Sequence, residues 1–255
     1  MINHRTAGDG EPLVLLHGIG SRWQVWQPLL PTLADSCRVI AVDLPGFGAS
    51  PAGSSSSVTA LTERVADFLA EHGIERPHLA GNSMGGGIAL NLAAAGLAGS
   101  VTAFSPIGYW SPAGLAWCSA SLRAMRVLGS ALRPVLPALA ANRPARTLLA
   151  AQFFGRPGRL DPEVLRADIA ALLAAPGFTE ALRSFDGYRP PVPTVPVTIA
   201  WGSRDALLPY PTQGRRARRL LPAADHVTLP GCGHIPFNDD PARCSRLILD
   251  RIARS

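Results

Sequence analysis

The chain has 255 residues, 47% of them hydrophobic, which predicts one domain with a large core and room for an insertion. Its formal charge is +6, and all 24 basic residues are arginines. These arginines are spread along the sequence, and the densest cluster, over 215–219, is typical of a solvated helix face. Because no aromatic residues are interleaved with this cluster, the composition argues against a nucleic-acid partner.

The cysteines and the N-terminus argue against several other classes. Cys37, Cys118, Cys232 and Cys244 are far apart and lack CxxC or Cys/His ligand spacing, which indicates reduced thiols rather than a zinc or other metal site or a disulfide framework. The N-terminus is polar, and no stretch of about 18 uncharged apolar residues is present. We therefore expect a cytoplasmic protein without a membrane span. The lack of a GxGxxG or Walker loop predicts no nucleotide, flavin or other cofactor.

The first half of the chain alternates between strand and helix patterns. Short apolar runs are typical of buried parallel strands, and apolar residues three or four positions apart are typical of helices. In chain order the pattern predicts a strand over 12–16, a helix over 23–34, a strand over 38–42, a helix over 61–69, a strand over 78–80, a helix over 88–95 and a strand over 101–105. This order predicts parallel strands connected by helices.

The alternation stops at residue 107 and resumes near residue 194. Between these points, helical segments divided by prolines are predicted over 115–132, 147–154 and 164–174, followed by a strand over 195–201, a helix over 209–221, a strand over 225–229 and a helix over 241–253. The expected fold class is α/β, with a doubly wound, mostly parallel sheet and helices on both faces. Residues 1–106 and 194–255 would form this core, and residues 107–193 a helical insertion.

The segment Gly81-Asn82-Ser83-Met84-Gly85 lies between a predicted strand and a predicted helix and has the pattern of a nucleophile elbow. The sharp turn puts the serine in a strained backbone conformation, and the flanking glycines remove side chains that would collide across the bend. Ser83 is therefore predicted to project over the edge of the sheet as a nucleophile.

A serine nucleophile needs a base, and the base needs an acid that orients it. His234 lies in a glycine-rich segment after the last predicted strand, and Asp205 follows the strand before that one. Because the carboxyl ends of parallel strands share one edge of the sheet, we expect Ser83, Asp205 and His234 to meet there. Asp240, which precedes Pro241, is instead typical of a helix N-cap.

With two further segments, His17-Gly18 and Asp43-Leu44-Pro45-Gly46-Phe47-Gly48, these motifs resemble the α/β-hydrolase family over nearly the whole chain. The order serine, acid, histidine also matches that family. The resemblance implies an oxyanion hole made by the backbone N–H groups of Ile19 and Met84. It also implies that the insertion is a helical cap over the site. The histidine and the aspartate of the two further segments are expected to be structural.

This machinery suits acyl transfer, so we expect a serine hydrolase that cleaves small to medium apolar carboxylic esters, including lactones or thioesters. Family members that are dehalogenases, and most epoxide hydrolases, have an aspartate at the elbow, which argues against both activities. The absence of lysine argues against hydroxynitrile lyases of this fold.

Three alternatives stay open. The first is hydrolysis of a carbon–carbon bond, because the elbow also resembles that of the meta-cleavage-product hydrolases. Gln27 and Ile235 lie where those enzymes usually have an asparagine and a tryptophan, which favours ester hydrolysis by family analogy. The second alternative is a ligand receptor with a capped pocket and slow turnover, and the third is a purely structural role.

The insertion is expected to supply most of the substrate pocket. Large apolar side chains there and beside the histidine favour an apolar acyl or aryl group on a small-molecule substrate. The candidate pocket residues are Trp110, Trp117, Phe153, Phe154, Tyr188 and Ile235.

Overall fold

A computed structural model describes residues 1–255, and a seven-stranded sheet forms its centre. The strands are β1 (His4–Ala7), β2 (Glu11–Leu16), β3 (Cys37–Val42), β4 (His78–Asn82), β5 (Ser100–Phe104), β6 (Val197–Gly202) and β7 (Asp225–Leu229). They lie in the order β1-β3-β2-β4-β5-β6-β7, and every neighbouring pair is parallel except β1 and β3. The predicted α/β fold with a mostly parallel, doubly wound sheet is confirmed.

Ten α-helices accompany the sheet. Five belong to the core: α1 (Leu30–Ala34), α2 (Val58–Glu71), α3 (Met84–Ala94), α9 (Arg215–Leu220) and α10 (Pro241–Ile252). The other five lie between β5 and β6: α4 (Pro112–Leu132), α5 (Leu136–Ala141), α6 (Arg143–Ala150), α7 (Pro162–Ala174) and α8 (Phe178–Arg183).

Both faces of the sheet are buried under these helices. On β2, Leu13 and Leu15 pack into an apolar core shared with α1 and α10, whereas Val14 and Leu16 pack into a core shared with α2 and α3. Successive side chains of a strand point to opposite faces, so a continuous apolar run is what a doubly covered strand requires. Functional groups are therefore left to the loops at the carboxyl edge of the sheet.

The helices between β5 and β6 pack partly on themselves and partly on the main core. Seven buried residues in and beside α5, α6 and α7 form a separate apolar cluster. Phe178 and Leu182 of α8 instead belong to the main core. The backbone N–H of Gly177 donates to the Gly46 carbonyl at 3.1 Å, which fastens the start of α8 to the loop after β3.

Two predicted helices differ from the structure, and one strand was not predicted. The first predicted helix is a 3-10 turn at Trp23–Trp26 followed by α1, because Pro28 and Pro31 have no N–H group for a continuous helical ladder. The helix predicted before β7 begins as a π-helical turn at Tyr210–Gly214 and continues as α9. The short edge strand β1 carries no apolar pattern because its side chains are mostly exposed, and it pairs antiparallel with β3.

Candidate active site

Ser83 occupies a strained turn between β4 and α3. Its backbone has φ +55° and ψ −115°, a region that residues with a side chain rarely adopt. The Ser83 N–H donates to the Phe104 carbonyl at 2.9 Å, and the Ser83 carbonyl accepts from Gly87 N at 3.1 Å. A Cβ at Gly85 would collide with the Leu16 carbonyl oxygen, so only glycine allows α3 to approach β2 this closely.

Asp205 and His234 form a buried pair at the ends of β6 and β7. The Nδ1 atom of His234 lies 2.9 Å from Asp205 Oδ2. The other carboxylate oxygen accepts from Leu207 N at 3.0 Å and from Leu208 N at 2.7 Å, which fixes the acid in place. Because an ionised carboxylate only accepts hydrogen bonds, Nδ1 carries the proton and Nε2 is the free acceptor of the neutral ring.

Asn82 joins the elbow to the histidine. Its Nδ2 atom donates to the Phe104 carbonyl at 3.1 Å and to the His234 carbonyl at 3.0 Å. The residue directly before Ser83 therefore holds the backbone of His234 at the same edge of the sheet. The elbow motif does not reveal this role, because the position before the serine is variable in the pattern.

The three predicted residues lie at the same edge of the sheet, beyond β4, β6 and β7, and are almost fully buried. The exposed fractions are 4% for Ser83, 5% for Asp205 and 3% for His234. The ring of His234 bonds to Asp205 and makes no hydrogen bond to the Ser83 hydroxyl. In ligand-free enzymes this contact is commonly long and shortens when substrate binds.

The backbone N–H groups of Ile19 and Met84 have no acceptor among the backbone hydrogen bonds of the protein. Met84 is the first residue of α3, whose initial N–H groups lack partners inside the helix. The loop that carries Ile19 runs beside the elbow, since a Cβ at Gly18 would lie 3.2 Å from Ser83 Cβ. Two unpaired backbone donors on segments that flank the serine are what an oxyanion hole requires.

Two buried polar side chains hold this loop. His17 Nε2 accepts from Leu44 N at 2.9 Å, and its Nδ1 lies 2.7 Å from the Gly18 carbonyl, so the proton is on Nδ1. Burial lowers the pKa of His17 and keeps the ring neutral. Asp43 accepts from Trp23 N at 2.7 Å and fixes the far end of the loop. These contacts are structural, because neither side chain has a free donor or acceptor directed at the serine.

The insertion is joined to the histidine loop by Asp239, which the motifs do not identify. Its Oδ2 accepts from Gly155 N at 2.7 Å and from Gly233 N at 2.9 Å, and its Oδ1 accepts from Arg156 N at 2.8 Å. We call these four residues the insertion–histidine clasp. One carboxylate thus binds the segment after α6 and the residue before His234 at once.

A narrow apolar cavity of about 80 Å³ lies between α4–α7 and the loop of Ile19. Fourteen of its 18 lining residues are hydrophobic, and they include the predicted pocket residues Phe153, Phe154 and Ile235. Neither the serine nor the histidine lines the cavity, which approaches them through Ile19 and Ile235. Asp168 is the single charged residue in the lining, and no motif singles it out.

The other three predicted pocket residues lie outside this cavity. Trp110 is buried against Phe185, with ring centroids 5.4 Å apart, and Trp117 is 53% exposed on the surface. The Tyr188 hydroxyl hydrogen-bonds to the Gly87 carbonyl at 3.0 Å. Trp110 and Tyr188 therefore pack against other parts of the fold and do not line this cavity, an outcome that depends on how each segment is oriented.

The four cysteines and the other possible metal ligands form no cluster. All four cysteines are free and buried, and burial raises the pKa of Cys118 to about 12 and that of Cys232 to about 11. No group of three or more His, Cys, Asp or Glu side chains is clustered as metal ligands are. None of the helices combines the length and the apolar character needed to cross a membrane.

Comparison with known proteins gives the family. Residues 13–247 match the model of the alpha/beta hydrolase family. An uncharacterised protein of Mycobacterium tuberculosis is 32% identical over 259 residues, which cover 94% of this chain and 74% of that protein. The enol-lactonase of Burkholderia xenovorans LB400 has a TM-score of 0.78 at 22% identity, covering 99% of this chain and 96% of the other. A mutant of a meta-cleavage product hydrolase has a TM-score of 0.76 at 21% identity, covering 100% of this chain and 95% of the other. This chain belongs to the alpha/beta hydrolase family.

Proposed function

We propose that this protein is a serine hydrolase that cleaves small to medium apolar carboxylic esters, including lactones or thioesters, through an acyl-enzyme. The observation that carries the proposal is the strained Ser83 at the β4–α3 turn, beside Asn82, which holds the backbone of His234. The hydrogen bond between His234 and Asp205 supplies an oriented base for that serine.

In the proposed reaction, His234 Nε2 accepts the proton of Ser83 Oγ as this oxygen attacks the carbonyl carbon. Asp205 stabilises the imidazolium that forms. The carbonyl oxygen becomes an oxyanion and accepts from the N–H groups of Ile19 and Met84, each worth roughly 3 kcal/mol in comparable sites. The imidazolium then protonates the leaving alcohol as the carbon–oxygen bond breaks. Water, deprotonated by His234, hydrolyses the acyl-enzyme and restores the Ser83 hydroxyl.

The substrate class follows from the cavity beside the site. Its hydrophobic lining, with Phe153 and Phe154 on one side and Ile19 on the other, favours a ligand group that is largely apolar. Burial of such a group would hold the ester carbonyl near the two backbone donors and would exclude bulk water from the reaction.

Hydrolysis of a carbon–carbon bond is the second candidate function. The segment Gly81–Gly86 resembles the elbow of the meta-cleavage-product hydrolases, and one such enzyme shares the fold. A capped receptor with slow turnover would use the same cavity for binding alone. Substrate turnover, rather than geometry, separates these candidates from the ester hydrolase.

The test compares Ser83→Ala with Ser105→Ala on 4-nitrophenyl butanoate and hexanoate. Ser105 is a matched control, because it is buried, follows β5 at the same edge of the sheet and also has a positive φ, +43°. Ser83→Ala is expected to lower kcat by roughly 10⁴-fold or more, because the nucleophile is lost. Ser105→Ala should leave kcat nearly unchanged, and circular dichroism verifies the fold of both variants.

Undiminished ester hydrolysis by Ser83→Ala would refute the proposal. Labelling of the wild type by a fluorophosphonate without multiple turnover of any ester would support the receptor. Turnover of a vinylogous diketone without turnover of esters would support carbon–carbon bond hydrolysis.

A further inference from the structure

Asp168 is the only charged side chain among the residues that line the apolar cavity. On α7 it lies between Leu165 and Leu172, which are buried and also line the cavity. Residues three and four positions apart share one face of a helix, so α7 presents to the cavity an apolar face interrupted by a single carboxyl group.

This carboxyl group has no hydrogen bond or ion pair within the protein. The charge of Arg22 attracts it without forming an ion pair, and Arg22 Nε is itself buried without an acceptor. Desolvation outweighs the attraction and raises the pKa of Asp168 to about 6. The raised pKa means that the folded protein stabilises the ionised form of this carboxyl group less than water does.

Asp168 is partly exposed, whereas the fully buried aspartates of the site region are paired within the protein. Each accepts three hydrogen bonds from protein donors: Asp43 from Asn3, Trp23 and Ala49, Asp205 from Leu207, Leu208 and His234, and Asp239 from Gly155, Arg156 and Gly233. Buried acceptors are normally paired in this way. Asp168 lacks such a protein donor and lines a largely apolar cavity, so a ligand that fills the cavity can supply the donor in place of water.

The position of α7 relates this carboxyl group to the reaction. Leu172, one turn after Asp168, packs directly on Gly20, where an added Cβ would collide with Leu172 Cδ1. Gly20 follows Ile19, whose N–H is a proposed oxyanion donor. A ligand with its carbonyl at Ile19 therefore has its cavity-filling group alongside the face of α7 that carries Asp168.

We propose that Asp168 is a specificity-determining residue that accepts a hydrogen bond from a hydroxyl or amino group on the cavity-filling part of the substrate. This rests on the proposed ester hydrolysis and narrows its substrates to apolar esters that carry one hydrogen-bond donor away from the carbonyl. Once a substrate fills the cavity and displaces water from Asp168, a substrate that leaves this acceptor unpaired is disfavoured by roughly tenfold or more in kcat/KM.

The test uses 4-nitrophenyl esters of straight-chain acids that carry a hydroxyl or a methoxy group on the sixth or eighth carbon. Both groups have an acceptor oxygen, but only the hydroxyl donates, and the Asp168→Leu variant controls for the larger size of the methoxy group. The ratio of kcat/KM for hydroxyl over methoxy is measured for the wild type, Asp168→Leu and Asp168→Asn. Glu163→Gln is the matched control, because it removes an exposed carboxylate from the same helix.

In the wild type, the ratio is expected to reach roughly tenfold or more for at least one chain length. Asp168→Leu should bring it to about one, Asp168→Asn should lower it because a neutral acceptor binds more weakly, and Glu163→Gln should keep the wild-type ratio. A wild-type ratio near one at every length would overturn the proposal, and so would an unchanged ratio in Asp168→Leu. If Asp168→Leu does not fold, an unchanged hydroxyl-to-methoxy ratio in Asp168→Asn would also overturn the proposal.

Unsubstituted 4-nitrophenyl hexanoate tests the ester hydrolysis separately, because its turnover does not depend on a donor. Should no ester be turned over, ester hydrolysis fails, and Asp168 is tested by ligand-induced shifts in melting temperature instead. A larger shift with 6-hydroxyhexanoate than with 6-methoxyhexanoate, abolished by Asp168→Leu, supports its role. Equal shifts in the wild type overturn it.

Discussion

The insertion–histidine clasp can be weakened with one isosteric change, Asp239→Asn, which keeps the size of the side chain and removes its charge. Asp240→Asn is the matched control. Asp240 caps α10 by accepting from Arg243 N at 3.1 Å, and asparagine caps a helix as well as aspartate does. Both variants lose one negative charge, but only Asp239→Asn loses an acceptor that joins two segments.

The expected destabilisation follows from the three hydrogen bonds of Asp239. In Asp239→Asn the amide oxygen can keep the N–H groups of Gly155 and Gly233, but its NH₂ group must then face the N–H of Arg156. Loss of an acceptor for one partly buried N–H costs about 1 kcal/mol, and the two remaining bonds lose about 1 kcal/mol each without the charge. The free energy of unfolding should fall by roughly 3 kcal/mol, or about 6–12 °C in Tm for a chain of this size.

Urea denaturation and thermal melts of the two variants and the wild type measure this effect at neutral pH. Because Gly233 precedes His234, the rate of fluorophosphonate labelling of Ser83 should also fall in Asp239→Asn and stay near the wild-type rate in Asp240→Asn. If Asp239→Asn were as stable as Asp240→Asn, the clasp would contribute nothing to the fold and the reasoning would be wrong.

Three further predictions concern single side chains. Because the pKa of Asp168 is raised to about 6 from 3.8, the free energy of unfolding of the wild type should fall by up to about 3 kcal/mol as the pH rises from about 4 to 6. In urea denaturation, Asp168→Asn should be more stable than the wild type at neutral pH and equal to it at acidic pH. Equal stabilities at every pH would contradict this prediction. Gly85→Ala should prevent folding or greatly destabilise the fold because the new Cβ meets Leu16, whereas Gly53→Ala, with 3.8 Å of clearance, should express and melt like the wild type. Tyr188→Phe should lower the free energy of unfolding by about 1 kcal/mol without changing KM, and a raised KM would place Tyr188 in contact with substrate after all.

The sequence predicts most of the fold because its signals are local. A strand covered on both faces needs an apolar run such as residues 38–42, and a helix needs an apolar face such as that of residues 61–69, whatever their neighbours are. The elbow is local as well, since Gly85 is required by the turn itself. Asp205 and His234 could be proposed from sequence because the topology of a parallel sheet brings the ends of its strands to one edge.

Other features could not be predicted because they depend on contacts between distant segments. In the sequence, Asp239 is one of several polar residues before a helix. Its role in joining two segments depends on the hydrogen bond from Gly155, 84 positions away. Trp117 has a large apolar side chain, as many pocket residues do, but it is exposed. The periodicity of apolar residues along a helix does not specify which segment that helix face will contact. Asp168 resembles an ordinary polar residue of α7 until the cavity is seen.

The sequence by itself therefore determined the α/β class, the strained serine and the residues able to serve as its base and acid, because steric and patterning constraints act over a few neighbouring residues. The tertiary structure decided which side chains line the cavity, which carboxylate joins the insertion to the histidine loop, and which carboxyl group is left without a donor. Those outcomes depend on the packing of helices α4–α7 against the loops at the carboxyl edge, and such packing is set by the whole chain at once.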